Sequence, residues 1–293
     1  MTPDRIYTRP GPLTGAGKHA KLLDALPREL PALTRAVQGL VIHEYLTEHY
    51  GVQFSEERKL ESQLRTLEGM LGAVLQHDAR PLTAARPPEQ RFCGVCRHFT
   101  LLLMAALRHQ GVPARARVGF GGYFTPGGFE DHWVCEYWNA SQDRWVLVDA
   151  QLDDVLRKLM NIDFDPLDVP RDRFVIAYDA WQQARSGRRD PHVFRFSPVN
   201  LSGLWFIAAN MIKDAAALNG IEVLPWDVWG GMVRGELSTE QLTFFDRLAG
   251  LTRTPDEKLD ALRQLFRTDA RLRIGPEDEV LNDRLSRRER LAS

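Results

Sequence analysis

The segment that most constrains this chain is CRHFTLLLMAALRHQ, residues 96–110: a cysteine opening a nearly continuous apolar run at helical spacing, stopped by Gly111 and then Pro113. A helix this apolar has to be buried, and the segments that follow it supply a surface. ARARVGFGGYF (114–124) alternates and is rich in β-formers, while HWVCEYW (132–138) and RWVLVDA (144–150) are two further strand candidates joined by the polar turn NASQD. A buried helix followed by antiparallel strands indicates an α+β fold.

Helical patterns flank this centre. From Lys21 to His77 apolar residues recur at spacings of three and four, first Leu33, Val37, Leu40 and Val41, then Leu60, Leu64, Leu67, Met70, Leu71 and Val74. This half is expected to be a helical layer built for packing, with His43 and His49 structural or exposed. Residues 1–16 are punctuated by Pro and Gly and are expected to be an extended lead-in; residues 79–90 form a Pro-rich loop. Further helices are expected over 172–185, 201–219 and 238–251, the second ending at a glycine cap in ALNGIE (217–222), and the last fifteen residues are expected to fray. LPWDVWGG (224–231) is read as a cleft lining or as buried packing. The expected division is an N-terminal helical region (1–88), a core (89–154) and a mainly helical C-terminal region (155–293).

The chain has 293 residues, with 38 Lys+Arg against 39 Asp+Glu, so charge gives no reason to expect nucleic acid or an anionic membrane as partner. No stretch approaches the roughly 20 apolar residues of a spanning helix, and MTPDRIYTRPGPLTG lacks the apolar region of a secretory signal. Three cysteines, Cys93, Cys96 and Cys135, are an odd count, which argues against a disulfide scaffold and for a reducing cytoplasm.

In that setting cysteine is read as chemistry. Cys96 falls at a helix start, where free N–H groups and the helix dipole stabilise a thiolate, and Gly94 allows close backbone approach just before it. A base is needed, and His132 opens a strand; the base needs an acceptor on its other ring nitrogen, and Asp149 lies near the end of the next strand. A lone cysteine in an apolar helix is ordinarily inert core. The joint occurrence of the three points to a nucleophile, base and orienting carboxylate.

Two rival readings use the same cysteines. Cys93-x-x-Cys96 with His132-x-x-Cys135 has the ligand types of a zinc site, but an offset of three along a strand puts His132 and Cys135 on opposite faces. CGVC also resembles a redox pair, yet it follows a Pro-rich loop, and the His and Asp segments would be left unexplained.

GVCRHFTLLLMAALRHQGVPARARVGF, DHWVCEYW and RWVLVDAQLD, in this order, resemble the cysteine, histidine and aspartate segments of the transglutaminase-like superfamily. The resemblance implies a papain-like core of nucleophile helix on antiparallel sheet, with Cys96, His132 and Asp149 as its triad. It implies acyl transfer or hydrolysis at an amide or ester carbonyl of a peptide, protein or small molecule, with no cofactor and no metal. The backbone N–H of Cys96 is the natural oxyanion donor. Gln90, six residues ahead of the cysteine as in papain-like enzymes, is a candidate second donor; Trp133 or Trp145 is an alternative, since transglutaminases use a tryptophan; Arg97 is a candidate for thiolate or acidic-group binding. The superfamily also includes members that have lost catalysis, so a binding or scaffold protein on this fold is the alternative from a different class. No calcium-loop pattern is present.

Overall fold

The computed structural model describes residues 3–292, which fall into two compact units. Among the described residues, the first comprises 3–116, 134–169 and Ala292; the second comprises Arg117–Trp133 and Pro170–Leu291.

In the first unit a 3-10 turn, Arg5–Thr8, and a longer one, Gly17–Ala25, lead to α1 (Leu30–Gln38), β1 (Val41–His43), α2 (Glu56–Lys59) and α3 (Leu67–His77). Then come β2 (Phe92–Gly94) and α4 (Cys96–His109), followed by β3 (Ala114–Gly121), β4 (Phe129–Asn139), β5 (Arg144–Val148) and α5 (Asp154–Leu159), with the division between units falling inside β3 and β4. Every residue of α4 except His109 is buried, and the helix packs on α1, β1 and β2. It ends as its sequence dictates: Gly111 takes φ +81, and the Val112 N–H reaches back to the Leu107 carbonyl at 2.9 Å. β4 and β5 pair antiparallel from Cys135↔Val148 to Asn139↔Arg144.

The second unit adds β6 (Phe174–Ile176), α6 (Ala177–Arg185), β7 (Phe194–Phe196), β8 (Leu201–Ser202) and α7 (Leu204–Leu218). β9 (Asp227–Val228), α8 (Thr239–Thr252), α9 (Leu259–Thr268), β10 (Glu279–Asn282) and β11 (Arg287–Arg290) complete it. α7 is buried from Phe206 to Leu218 and packs against α6, α8 and α9. β6 pairs with the end of β3, where Gly119 is required: a Cβ there would sit 2.3 Å from the Val175 carbonyl oxygen. α8 opens on a reciprocal cap, the Gln241 N–H donating to Ser238 Oγ at 3.2 Å and the Ser238 N–H to Gln241 Oε1 at 2.8 Å.

Strands fall on the three expected segments, at 114–121, 129–139 and 144–148, so His132 lies inside β4 rather than opening it, and the Gly-capped helix end at 217–222 is present. Four expectations need correction. The lead-in is folded rather than extended, because Tyr7 is fully buried with its ring edge-on to Trp145, 5.7 Å between centroids. The Lys21–His77 layer is broken by β1, which pairs in parallel with β2, a partner 51 residues further on (Val41↔Phe92) that no local period reveals. Residues 174–176 are strand before the helix begins, because they pair with β3. The tail is a β10–β11 hairpin with Val280 and Leu291 fully buried, so its polar residues are the outward half of an ordered element. In LPWDVWGG, Trp229 is buried with its Nε1–H on the Leu272 carbonyl at 3.1 Å, and it also lines a pocket of about 320 Å³.

Candidate active site

Cys96 is the first residue of α4, following Val95 in extended conformation (φ −130, ψ 177). The thiol thus stands at the positive end of the α4 dipole, while the His98 N–H of the same turn donates to the Val95 carbonyl at 2.8 Å. All three cysteines are free thiols. Cys93 and Cys135 are 0% exposed, whereas Cys96 keeps 7%. Burial pushes the Cys135 thiol well above its ordinary range, with the nearby Arg108 charge opposing, which leaves it unreactive.

The turn that delivers Cys96 is held from inside the first unit. The Val95 N–H donates to His98 Nδ1 at 3.1 Å, and His98 Nε2 contacts the Leu64 carbonyl at 3.0 Å. Arg97 Nη2 donates to the next carbonyl, Arg65, at 2.6 Å. Ahead of the turn, the Cys93 N–H donates to Glu61 Oε2 at 2.8 Å, and Arg58 donates to the carbonyls of Glu89 (3.2 Å) and Arg91 (2.7 Å), pinning both sides of Gln90.

Asp149 follows the last residue of β5 and is 1% exposed. Its Oδ1 accepts the Gln151 N–H at 3.0 Å and its own N–H donates to the Pro166 carbonyl at 2.9 Å, an Asx turn that fixes the direction of the carboxylate.

His132 belongs to the second unit, on β4, and is 2% exposed. Three aromatic rings meet its imidazole edge to face: Phe124 at 4.7 Å, Tyr123 at 6.1 Å and Phe174 at 6.2 Å between centroids. The strand is braced two residues earlier, where Glu130 Oε1 accepts from Thr125 Oγ1 (3.1 Å), Arg195 Nε (3.1 Å) and Ser197 Oγ (2.5 Å). Between them Asp131 has its Oδ1 buried without a hydrogen bond, and desolvation raises its carboxyl to about 6 against the opposing charge of Lys213.

The remaining candidates are placed as follows. Gln90 ends a 3-10 turn, Pro88–Gln90, with its side chain in solvent. Arg97 is 1% exposed and points to the 64–65 backbone. Trp133 is 1% exposed, within the second unit. Trp145 is half-buried, and the Arg115 guanidinium lies 3.8 Å from its ring centroid. Among the described residues no three His, Cys, Asp or Glu side chains are grouped to hold a metal ion. Sequence reasoning missed His98 and Glu61. The first was legible in principle, as a polar side chain at the third position of an otherwise apolar helix, where capping residues reach back to the preceding N–H.

Residues 42–150 match the family model of the transglutaminase-like superfamily, a span that contains Cys96, His132 and Asp149. Over that span the chain is similar to a superfamily of cysteine-dependent catalysts. A curated relative, the protein-glutamine gamma-glutamyltransferase of Pseudomonas aeruginosa, is 28% identical over 212 residues, covering 57% of this chain and 30% of the relative. The chain thus spans less than a third of that relative's length. A solved structure of a proposed cysteine protease from Cytophaga hutchinsonii aligns over 60% of this chain and 46% of its own with 16% identity and a TM-score of 0.33. No helix of the described residues is long and apolar enough to cross a membrane.

Proposed function

We propose that this protein catalyses cysteine-dependent acyl transfer or hydrolysis at an amide or ester carbonyl, with Cys96 as nucleophile, His132 as base and Asp149 as the carboxylate that orients it. The observation that carries the reading is the position of Cys96: it alone of the three cysteines combines a helix N-terminus with residual exposure. In this reading residues 89–154 are the catalytic core, flanked by 1–88 and 155–293.

The Cys96 sulfur attacks the carbonyl carbon as His132 takes the thiol proton, and the carbonyl electrons move to oxygen, where the Cys96 N–H donates. The C–N or C–O bond then breaks, the leaving group takes the proton from the imidazolium, and an acyl-enzyme remains. Water or an amine resolves it. Asp149 accepts the second ring N–H and stabilises the imidazolium. The second oxyanion donor is assigned to Gln90, whose amide reaches solvent while Arg97, Trp133 and Trp145 are engaged in packing. Hydrolysis is favoured over transfer, because water is always present and no feature of the sequence marks an acyl-acceptor amine site.

The name of the Pseudomonas relative directs the substrate search to protein-bound glutamine, whose carboxamide is an acyl donor of the required chemistry. Three free thiols suit a reducing compartment such as the cytoplasm. The test is iodoacetamide labelling with peptide mapping, followed by an amide and ester substrate screen with Cys96→Ser as control. Fast labelling of Cys96 and turnover lost in Cys96→Ser are expected. Preferential labelling of Cys93, or turnover surviving Cys96→Ser, defeats the proposal; fast labelling with no turnover on any substrate moves the protein to the binding or scaffold class.

A further inference from the structure

We propose that His98 is the positioning residue of the nucleophile: a neutral imidazole, protonated at Nε2, that pins the Val95 N–H from inside the protein and so fixes the direction in which Cys96 presents its sulfur and its N–H. The inference rests on the reading of Cys96 as nucleophile.

The two contacts of the ring admit one protonation state. Val95 contributes an N–H, so Nδ1 has to be a bare acceptor (3.1 Å); Leu64 contributes a carbonyl, so Nε2 has to carry the proton (3.0 Å). An imidazolium would set an N–H against the Val95 N–H. The opposite tautomer would fail at both ends.

Burial and neighbouring charge favour the neutral form. His98 is 0% exposed, and its imidazole packs against Phe92 with 5.2 Å between centroids. Desolvation holds its pKa down at about 3, with the charges of Arg97 and His43 adding to the effect. A neutral ring also places no positive charge against the positive end of the α4 dipole.

The fit extends to the neighbouring glycine. A Cβ on Gly94 would stand 3.0 Å from His98 Cβ, 3.2 Å from its Cγ and 3.1 Å from Phe92 Cε1, so the glycine before the nucleophile makes room for this imidazole. His98 and Arg97 reach the successive carbonyls of Leu64 and Arg65, which ties the first turn of α4 to one stretch of backbone. The Val95 N–H lies one residue before Cys96. A rotation of the Val95 peptide would therefore swing both the sulfur and the oxyanion donor, and misplacements of about 1 Å cost on the order of a hundredfold in rate.

Two measurements test this. In the wild-type protein, nitrogen NMR of the imidazoles should show His98 protonated at Nε2 alone and unchanged from pH 8 to pH 5; a ring that titrates in that interval, or carries its proton on Nδ1, overturns the assignment whatever the variants do. The second is the pH–rate profile for alkylation of Cys96 in His98→Asn, which keeps an acceptor near the Val95 N–H, and His98→Ala, which keeps none. His98→Ala should slow alkylation at least about tenfold and move the midpoint of the profile upward, while His98→Asn stays within a few-fold of wild type. Equal rates and midpoints in all three proteins overturn the proposal. A wild-type Cys96 that resists alkylation defeats the nucleophile reading instead, leaving the NMR result to decide the ring.

Discussion

Arg115 Nε donates to Glu136 Oε2 at 2.6 Å, with both side chains within 2% of full burial. Strand β3 aligns the pair: Arg115 lies between the rings of Trp145 (3.8 Å) and Tyr7 (5.2 Å) while Glu136 comes from β4. Two residues along, Arg117 makes the corresponding contact in the second unit, donating to both Asp214 oxygens (3.0 and 2.8 Å) on α7 and to the Thr252 carbonyl (3.2 Å). Removing one partner of a buried pair leaves a charge uncompensated. Glu136→Ala and Asp214→Ala should each cost about 3–5 kcal/mol in urea unfolding, and Arg115→Lys should not restore wild-type stability, because the flat guanidinium face against Trp145 is lost. Losses under 1 kcal/mol would show the pairs to be dispensable.

The three thiols should separate by reactivity. In native protein a disulfide reagent should modify one thiol quickly, Cys96, and reach Cys93 and Cys135 only after denaturant is added, since both are fully buried and burial pushes Cys135 out of thiolate range. Counting released chromophore before and after unfolding checks this.

His98 makes a signed contribution to stability against pH. The unfolded chain binds its proton near pH 6.5, whereas burial keeps the folded ring neutral down to about 3. Between these values the unfolded state holds more protons, so stability is complete above 6.5 and falls as the pH drops toward 3, by up to about 1.4 kcal/mol per unit. Unfolding free energies of wild type and His98→Asn should therefore converge, or cross in favour of the variant, between pH 7 and pH 4. A gap that stays constant would refute the buried neutral ring.

Asp131 acts in the opposite sense. Desolvation raises its folded carboxyl to about 6 against about 3.8 unfolded, so in that interval the folded state holds more protons and stability declines as pH rises. Asp131→Asn should stabilise the protein by on the order of 1–3 kcal/mol at pH 7.5 and by much less at pH 4. Thermal unfolding at the two pH values reads the difference.

Local pattern carried a large part of this protein. The run from Cys96 to the Gly111 stop, the alternation in 114–121, the two strands around NASQD and the glycine cap after α7 are all short-range codes, set by side-chain period and by backbone freedom at glycine. Cys96 at the start of α4 and Asp149 just past β5 stand at element boundaries, whereas His132 lies inside β4.

The tertiary structure decided what no period encodes. β1 became a strand through a partner 51 residues away (Val41↔Phe92), and the polar tail became a hairpin because Val280 and Leu291 found a core. Arg115 and Arg117, which an alternating strand would ordinarily turn to water, were taken inside by Glu136 and Asp214. His98 passed as one more residue of an apolar helix until the Val95 N–H and the Leu64 carbonyl, 34 residues apart from it in the second case, fixed both ring nitrogens. The sequence alone determined where α4 starts and stops and where α7 meets its glycine cap, because those signals are local. Which buried polar groups meet depends on partners distant along the chain, and only the folded chain selects them.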